Sequence, residues 1–304
     1  NFPLFFAGMF INHYYMYYKK DFIAVGRMAF VCLIMYGIGS IQTIMGLKQF
    51  PVAARLLATS YSERSLFESI GIGGFGFVYS AVFISISLLY FVIKKSDLNR
   101  LYRLFTGFIL VLLIMMIIKA SYAIALILTI TGFVLVNILK DKRIFFFFMI
   151  ICVVLILLTP RVFVGNMILQ VANLFKENVI AEKLTDFASV FLQQEMGGQT
   201  KYRIHLYLTS LKTFLKNPYF GICGPFGNPK GKIGWHSGWF DMMALYGLFT
   251  TIPMFIGIIV NFKKNYCFYL KHSYSRFILS CQIMFVIFGF INPIIYVYQI
   301  GFAL

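Results

Sequence analysis

Apolar stretches of roughly 15 to 24 residues recur along the chain, close to the roughly 20 residues that cross a bilayer as an α-helix. They predict helices over residues 3–17, 28–46, 71–93, 104–119, 121–139, 144–159, 239–261 and 277–291, with a last partial one from 294. The short alternating segments of a membrane β-barrel do not occur. The expected fold is therefore all-α, a polytopic transmembrane helical bundle of about eight or nine helices forming one integral membrane domain over 1–304. Two more polar segments interrupt the pattern: 47–70, a first external loop, and 160–238, a large external loop expected to contain amphipathic helices.

Within the larger loop the hydrophobic period becomes helical. Ile204, Tyr207, Leu208, Leu211, Phe214 and Leu215 recur between Tyr202 and Lys216, opposite a polar stripe of His205, Thr209, Lys212 and Lys216. This spacing predicts a helix lying on the membrane or on the bundle surface. Asn217 and Pro218 end it, because the residue before a proline is pushed out of helical geometry. Glycines at 221, 224, 227, 231 and 234 then let the backbone turn tightly, so that His236 can return toward the start of the helix carrying Arg203.

Basic residues set the expected orientation. Lys19, Lys20, Arg27, Lys94, Lys95, Arg100, Arg103, Lys140, Lys142, Arg143, Lys263, Lys264, Lys271 and Arg276 all fall on one side under strict alternation of the helices. The opposite short loops hold Lys48, Arg55, Arg64 and Lys119, so the first side is expected in the cytoplasm and both polar segments outside. The chain begins at Asn1 and goes almost at once into an apolar segment, and it stops at Leu304 inside another, which reads as a fragment lacking its front.

Composition agrees with the membrane reading. The chain is 60% hydrophobic and 12% charged with a mean hydropathy of +0.83, well beyond the roughly 45–50% apolar and 25% charged of soluble domains. The net charge of +17 does not point to nucleic acid, since about half the basic residues serve topology and no soluble basic run is interleaved with stacking aromatics. The external segment from Arg161 to Lys232 holds nine Lys/Arg against Glu177, Glu182, Asp186 and Glu195. A basic external loop suggests an anionic ligand such as lipid phosphate, or plain adhesion to head groups. Cys32, Cys152, Cys223, Cys267 and Cys281 lack the paired spacing of metal or redox motifs, so no disulfide framework, metal or cofactor is expected.

Candidate chemistry collects in the larger loop. Arg203 is permanently charged and can hold phosphate oxygens with a planar fork of donors; the alternative is a snorkelling surface arginine. His236, between a Gly-rich loop and a membrane helix, suits a base that takes a proton from a sugar hydroxyl, or an interfacial hydrogen-bonding residue. Lys201, Lys212 and Lys216 would add diffuse attraction for an anion. Asp241, an acid near the end of a membrane helix, would orient His236, contact substrate or face water, and Tyr246 is a further substrate-binding candidate. Arg64 is a weaker anion contact because Glu63 and Glu68 are close enough to pair with it. Trp235 and Trp239 flank His236 and would either pack a glycan or, the preferred reading, anchor the loop at the membrane interface.

Arg203 followed by NPYFGICGPFG and then HSGWFDMMALYGLFT resembles the catalytic loop of the O-antigen polymerase and O-antigen ligase superfamily. Its members carry an arginine, a P-x-x-G-x-G-like turn and a histidine followed by a Leu-rich helix with a Y/E-G dipeptide; Arg203, Pro218, Gly221, His236 and Gly247 match that order. The departures are Cys223-Gly224, where members commonly have a small residue and glycine, and Ser237, where many have Asn. A second stretch, FPVAARLLATSYSERSLFESIGIGGFGFVYS, looks like the polymerase branch and supplies Arg55 as a second anion contact. Together the two stretches cover roughly a third of the chain.

The resemblance implies a C-type glycosyltransferase-like bundle in the bacterial cytoplasmic membrane with its active loops on the periplasmic or extracellular side. It implies a metal-independent, inverting polymerase of O-antigen, capsular or exopolysaccharide repeat units. The donor would be undecaprenyl-diphosphate-linked oligosaccharide, with a chain-length regulator, a flippase and membrane lipid as partners and no nucleic acid. Arg203 and Arg55 would neutralise the departing diphosphate, and His236 would deprotonate the acceptor hydroxyl. The absence of any Asp-x-Asp pair agrees with a donor other than a metal-bound sugar nucleotide. The competing readings are a ligase that transfers finished glycan to a lipid A core, and a transporter of lipid-linked envelope substrate.

Overall fold

The computed structural model describes residues 2–59, 64–93, 100–139, 161–174, 181, 184–185, 188–189, 192, 198–222, 231–270, 274–294 and 297–303. Among these the regular structure is helical and no strand occurs. The expected helix at 144–159, Cys152, Cys223, Gly224 and Gly227 lie outside the described residues, as do the side chains of Arg55 and Lys201.

The helices are α1 (Phe2–His13), which runs into a π-helical stretch at Tyr14–Lys19, α2 (Phe22–Gln49), α3 (Ala53–Thr59), α4 (Arg64–Ser69), α5 (Phe75–Ile93), α6 (Arg100–Lys119), α7 (Ala123–Ile138), α8 (Arg161–Leu174), α9 (Gly198–Lys216), α10 (Gly238–Phe268), α11 (Ser275–Ile291) and α12 (Tyr298–Ala303). Four of them, α2, α5, α6 and α10, are long and apolar enough to cross a membrane, and the shorter stretches Ile124–Ile138 and Ser275–Ile291 are apolar too. Helix α2 starts earlier than its apolar window because Asp21 caps it, accepting from the Ala24 amide at 2.9 Å. The segment 47–70, expected as a loop, contains the two short helices α3 and α4.

The chain divides into two compact units. The first comprises residues 1–137, 261–285 and 295–304. Its packing follows from small residues: Gly37, Ser40, Thr43 and Gly46 form the buried stripe of α2. A Cβ on Gly37 or Gly46 would collide with Ile109 or Ile72, so these glycines set how closely the neighbouring side chains approach. Thr43 Oγ1 accepts from the Gly73 amide at 2.8 Å, and Tyr36 donates to Ser80 Oγ at 2.7 Å. Tyr122 donates to the Ala54 carbonyl at 2.5 Å, which holds the helix bearing Arg55 through its backbone. Arg64, exposed, donates from Nε to Glu68 Oε1 at 2.7 Å, an i,i+4 pair on α4.

The second unit comprises residues 138–260 and 286–294 and contains α8, α9, the first part of α10 and the end of α11. Helix α10 is not continuous: Gly247 has φ 63° and ψ −174° in its interior.

Candidate functional site

The second unit is organised around α9. Arg203, Tyr207, Ser210 and Thr213 lie at positions i, i+4, i+7 and i+10, one stripe of an α-helix. Tyr207 donates to the Ile291 carbonyl at the end of α11 at 3.1 Å, and Arg203 is hydrogen-bonded to the same phenol. Thr213 Oγ1 donates to the Lys232 carbonyl at 2.6 Å. Ser210, fully buried, donates to Asp241 Oδ1 at 2.5 Å and accepts from the Gly234 amide at 2.8 Å. The stripe thus seats the loop 231–237 on α9.

Gly234 makes that seating possible. A Cβ there would collide with the Leu206 carbonyl of α9, so no other residue allows the loop this close. Trp235 follows in the left-handed region, φ 57°, and its backbone amide reaches Asp241. Ser237 donates its backbone N–H to Asp241 Oδ2 at 3.0 Å, while its Oγ accepts from the Phe240 amide at 3.3 Å, a reciprocal cap for α10. Asp241 is 1% exposed, and its oxygens are engaged by Ser210, Ser237 and Trp235. Its carboxylate ties α9, the loop and α10 together.

His236 is half-buried between these anchored neighbours. Its Nδ1 lies 3.0 Å from the Gly234 carbonyl. A carbonyl only accepts, so the neutral ring carries its proton on Nδ1 and leaves the Nε2 lone pair free as a base. Asp241 is within electrostatic range of His236 without hydrogen-bonding to it, and Tyr207 is within range of Asp241. Burial pushes the Tyr207 phenol above its ordinary 10.0; the Arg203 charge opposes this and Asp241 adds to it. The phenol therefore stays a donor at neutral pH.

A second device supports α10. At the break the Leu248 amide donates to the Pro218 carbonyl at 2.8 Å and the Phe249 amide to the Tyr219 carbonyl at 3.1 Å, while the Ala244 carbonyl accepts from Ile222 at 3.0 Å. The turn Asn217–Ile222 thus acts as a strap that satisfies the peptide groups freed by Gly247. Trp239, read from sequence as an interface anchor, is instead 4% exposed, donates to the Val286 carbonyl at 2.9 Å, and packs on Phe255 and Phe290. Gly289 leaves the room its indole needs.

No known protein family, curated relative or solved structure matches this chain. The expected site residues are distributed as follows. Arg203, Lys201, Lys212, Lys216, His236, Asp241 and Tyr246 belong to the second unit, and Arg55 and Arg64 to the first. Lys212 and Lys216 are exposed on α9, and Tyr246 is half-buried in the turn before the break. Among the described residues no group of three His, Cys, Asp or Glu side chains is placed to hold a metal ion. Ser210 and Tyr207 were not singled out for chemistry from sequence. The i, i+4, i+7 spacing from Arg203 is the signal that marks them.

Proposed function

We propose that this chain is a membrane glycosyltransferase that polymerises undecaprenyl-diphosphate-linked repeat units, with His236 as base and Arg203 as the cation for the leaving diphosphate. The observation that supports it is the presence, within one unit, of a half-exposed arginine steadied by Tyr207 and of a histidine whose Nδ1 is tied to a carbonyl. An oriented imidazole and a fixed guanidinium are what an in-line transfer from a diphosphate requires. The acceptor hydroxyl oxygen forms a bond to the anomeric carbon from the face opposite the diphosphate. The carbon–oxygen bond to the diphosphate breaks, its electron pair leaves on the diphosphate beside Arg203, and the acceptor proton passes to His236 Nε2. Asp241 then acts by positioning, holding the loop through Ser210, Ser237 and Trp235. Arg55 enters this reading only through its motif, and Arg55→Ala tests it separately.

The broken helix α10 favours a second reading, transport, because interrupted membrane helices often expose backbone groups to a carried ion or substrate. Here the strap takes those groups: Leu248, Phe249 and Ala244 are all hydrogen-bonded to it. That weighs toward the enzyme.

The test is the lipid-linked glycan ladder of a polymer-deficient cell complemented with wild type, Arg203→Ala or His236→Ala at matched expression. Collapse to a single repeat unit in both variants is the expected result. Full-length glycan left on the carrier would make the protein a ligase, and unchanged ladders would favour transport.

A further inference from the structure

We infer that the first unit holds one anionic glycerophospholipid in a groove between the end of α5 and the first turns of α6, with its phosphate on Arg103. The groove has a volume of about 460 Å³ and is partly open rather than an enclosed cavity. Its walls are Val92, Leu104, Phe108 and Val111, and Leu110, 7% exposed, is its most buried lining residue. Gly107 leaves the space between: a Cβ there would meet nothing closer than Val92 Cγ2 at 3.9 Å.

Arg103 is the one charged residue in this lining, and among the described residues it makes no ion pair. Its helical turn is well ordered by local bonds. Thr106 Oγ1 donates to both the Tyr102 and Arg103 carbonyls at 3.1 Å, and the Tyr102 ring stands edge-on to Phe91 at 6.0 Å. A cation at the end of an apolar slot matches an amphiphile with an anionic head and a hydrocarbon tail. A small water-soluble anion would leave the apolar walls without a partner.

Charge close to Arg103 in the sequence selects the type of lipid. Lys94, Lys95 and Arg100 adjoin Arg103 in sequence, and the distribution of basic residues places this connection on the expected cytoplasmic side. Basic clusters there attract anionic head groups over zwitterionic ones. The occupant is therefore a phosphatidylglycerol-like lipid. The inference does not depend on any chemistry at His236 and stands whether or not the chain is a glycosyltransferase.

The full chain, placed in nanodiscs of equimolar phosphatidylglycerol and phosphatidylcholine and then released, is analysed for retained lipid by native mass spectrometry. Wild type is expected to retain phosphatidylglycerol preferentially. Arg103→Gln is expected to lower that preference roughly five-fold, the scale of one basic residue at an anionic surface. Gly107→Leu, which fills the slot without a backbone clash, is expected to lose retention of both lipids. Arg103→Gln with the wild-type preference, or a folded Gly107→Leu with wild-type retention, overturns the assignment. Should Gly107→Leu not fold, Arg103→Gln decides alone, since its half-exposed side chain bonds to no described residue.

Discussion

Gly221 and Gly247 cross backbone against backbone: a Cβ on Gly221 would stand 2.6 Å from the Gly247 nitrogen. Both have positive φ, 64° and 63°. The crossing lets the strap 217–222 reach the interruption of α10 and bond to Leu248, Phe249 and Ala244. In a hydrocarbon setting each of those peptide groups left unpaired would cost several kcal/mol, so break and strap stand or fall together.

Gly247→Ala is accordingly expected to destabilise the protein by about 2 kcal/mol or more, because alanine there meets both the left-handed penalty and the Tyr219 backbone. Gly231 is the control. It has φ 76° but a Cβ there reaches nothing within 4 Å, so Gly231→Ala should cost about 1 kcal/mol. Thermal unfolding of both in detergent checks the contrast; equal losses would mean the crossing carries no strain of its own.

Ser210→Ala removes the donor to Asp241 and the acceptor for Gly234 in one change. The expected cost is roughly 1–3 kcal/mol, the scale for leaving buried polar groups without partners. Hydrogen exchange at the Gly234 amide should rise, and on the proposed glycosyltransferase reading polymer should shorten because His236 loses its fixed loop. Unchanged exchange at Gly234 would show that the loop does not depend on the serine.

Arg203→Lys keeps the charge but loses the planar fork that can hold both Tyr207 and a phosphate oxygen. On the proposed glycosyltransferase reading, polymer synthesis is expected to fall roughly 100-fold or more, on the scale of losing a preorganised donor in an active site. Tyr207→Phe should be milder, about 10-fold, since it loosens the arginine without removing it. Initial rates on purified lipid-linked repeat units order the two, and a Lys variant as active as wild type would contradict the clamp.

The Tyr207 phenol predicts a pH dependence. Its folded value lies above the ordinary 10.0, chiefly through burial, so the neutral form is favoured by folding. That stability is fully present below pH 10 and is lost as pH rises from there through the folded value. Wild type should thus lose more stability than Tyr207→Phe on alkaline titration above pH 10. Parallel losses in the two proteins would assign the alkaline transition to other groups.

Some of this is legible in the sequence. The stop of α9 at Lys216 follows from Asn217-Pro218, and the Arg64–Glu68 pair follows from i,i+4 spacing. The stripe on α9 departs from its sequence pattern: His205, Lys212 and Lys216 are exposed, but so are Ile204, Leu208 and Leu215 of the apolar set, while Tyr207, apolar by period, bonds Arg203 and the end of α11. A tyrosine is apolar in its ring and polar at its tip, and periodicity sees only the first. The break in α10 was likewise hidden, because Gly247 sits in an unbroken apolar run and one glycine in a helix announces no kink.

By itself the sequence determined the helical character found among the described residues and the presence of spans apolar enough for a membrane, and it pointed to the stretch from Lys201 to Asp241 as the one richest in candidate polar residues. Those are properties of composition and local period, which need no partner from elsewhere in the chain. Only the tertiary structure decided that Asp241 is buried among Ser210, Ser237 and Trp235, that Trp239 is core, and that the strap mends the helix at Gly247. Each of these rests on hydrogen bonds or contacts across turns and between helices, whose partners are chosen by how the backbone crosses itself at Gly221, Gly234 and Gly247.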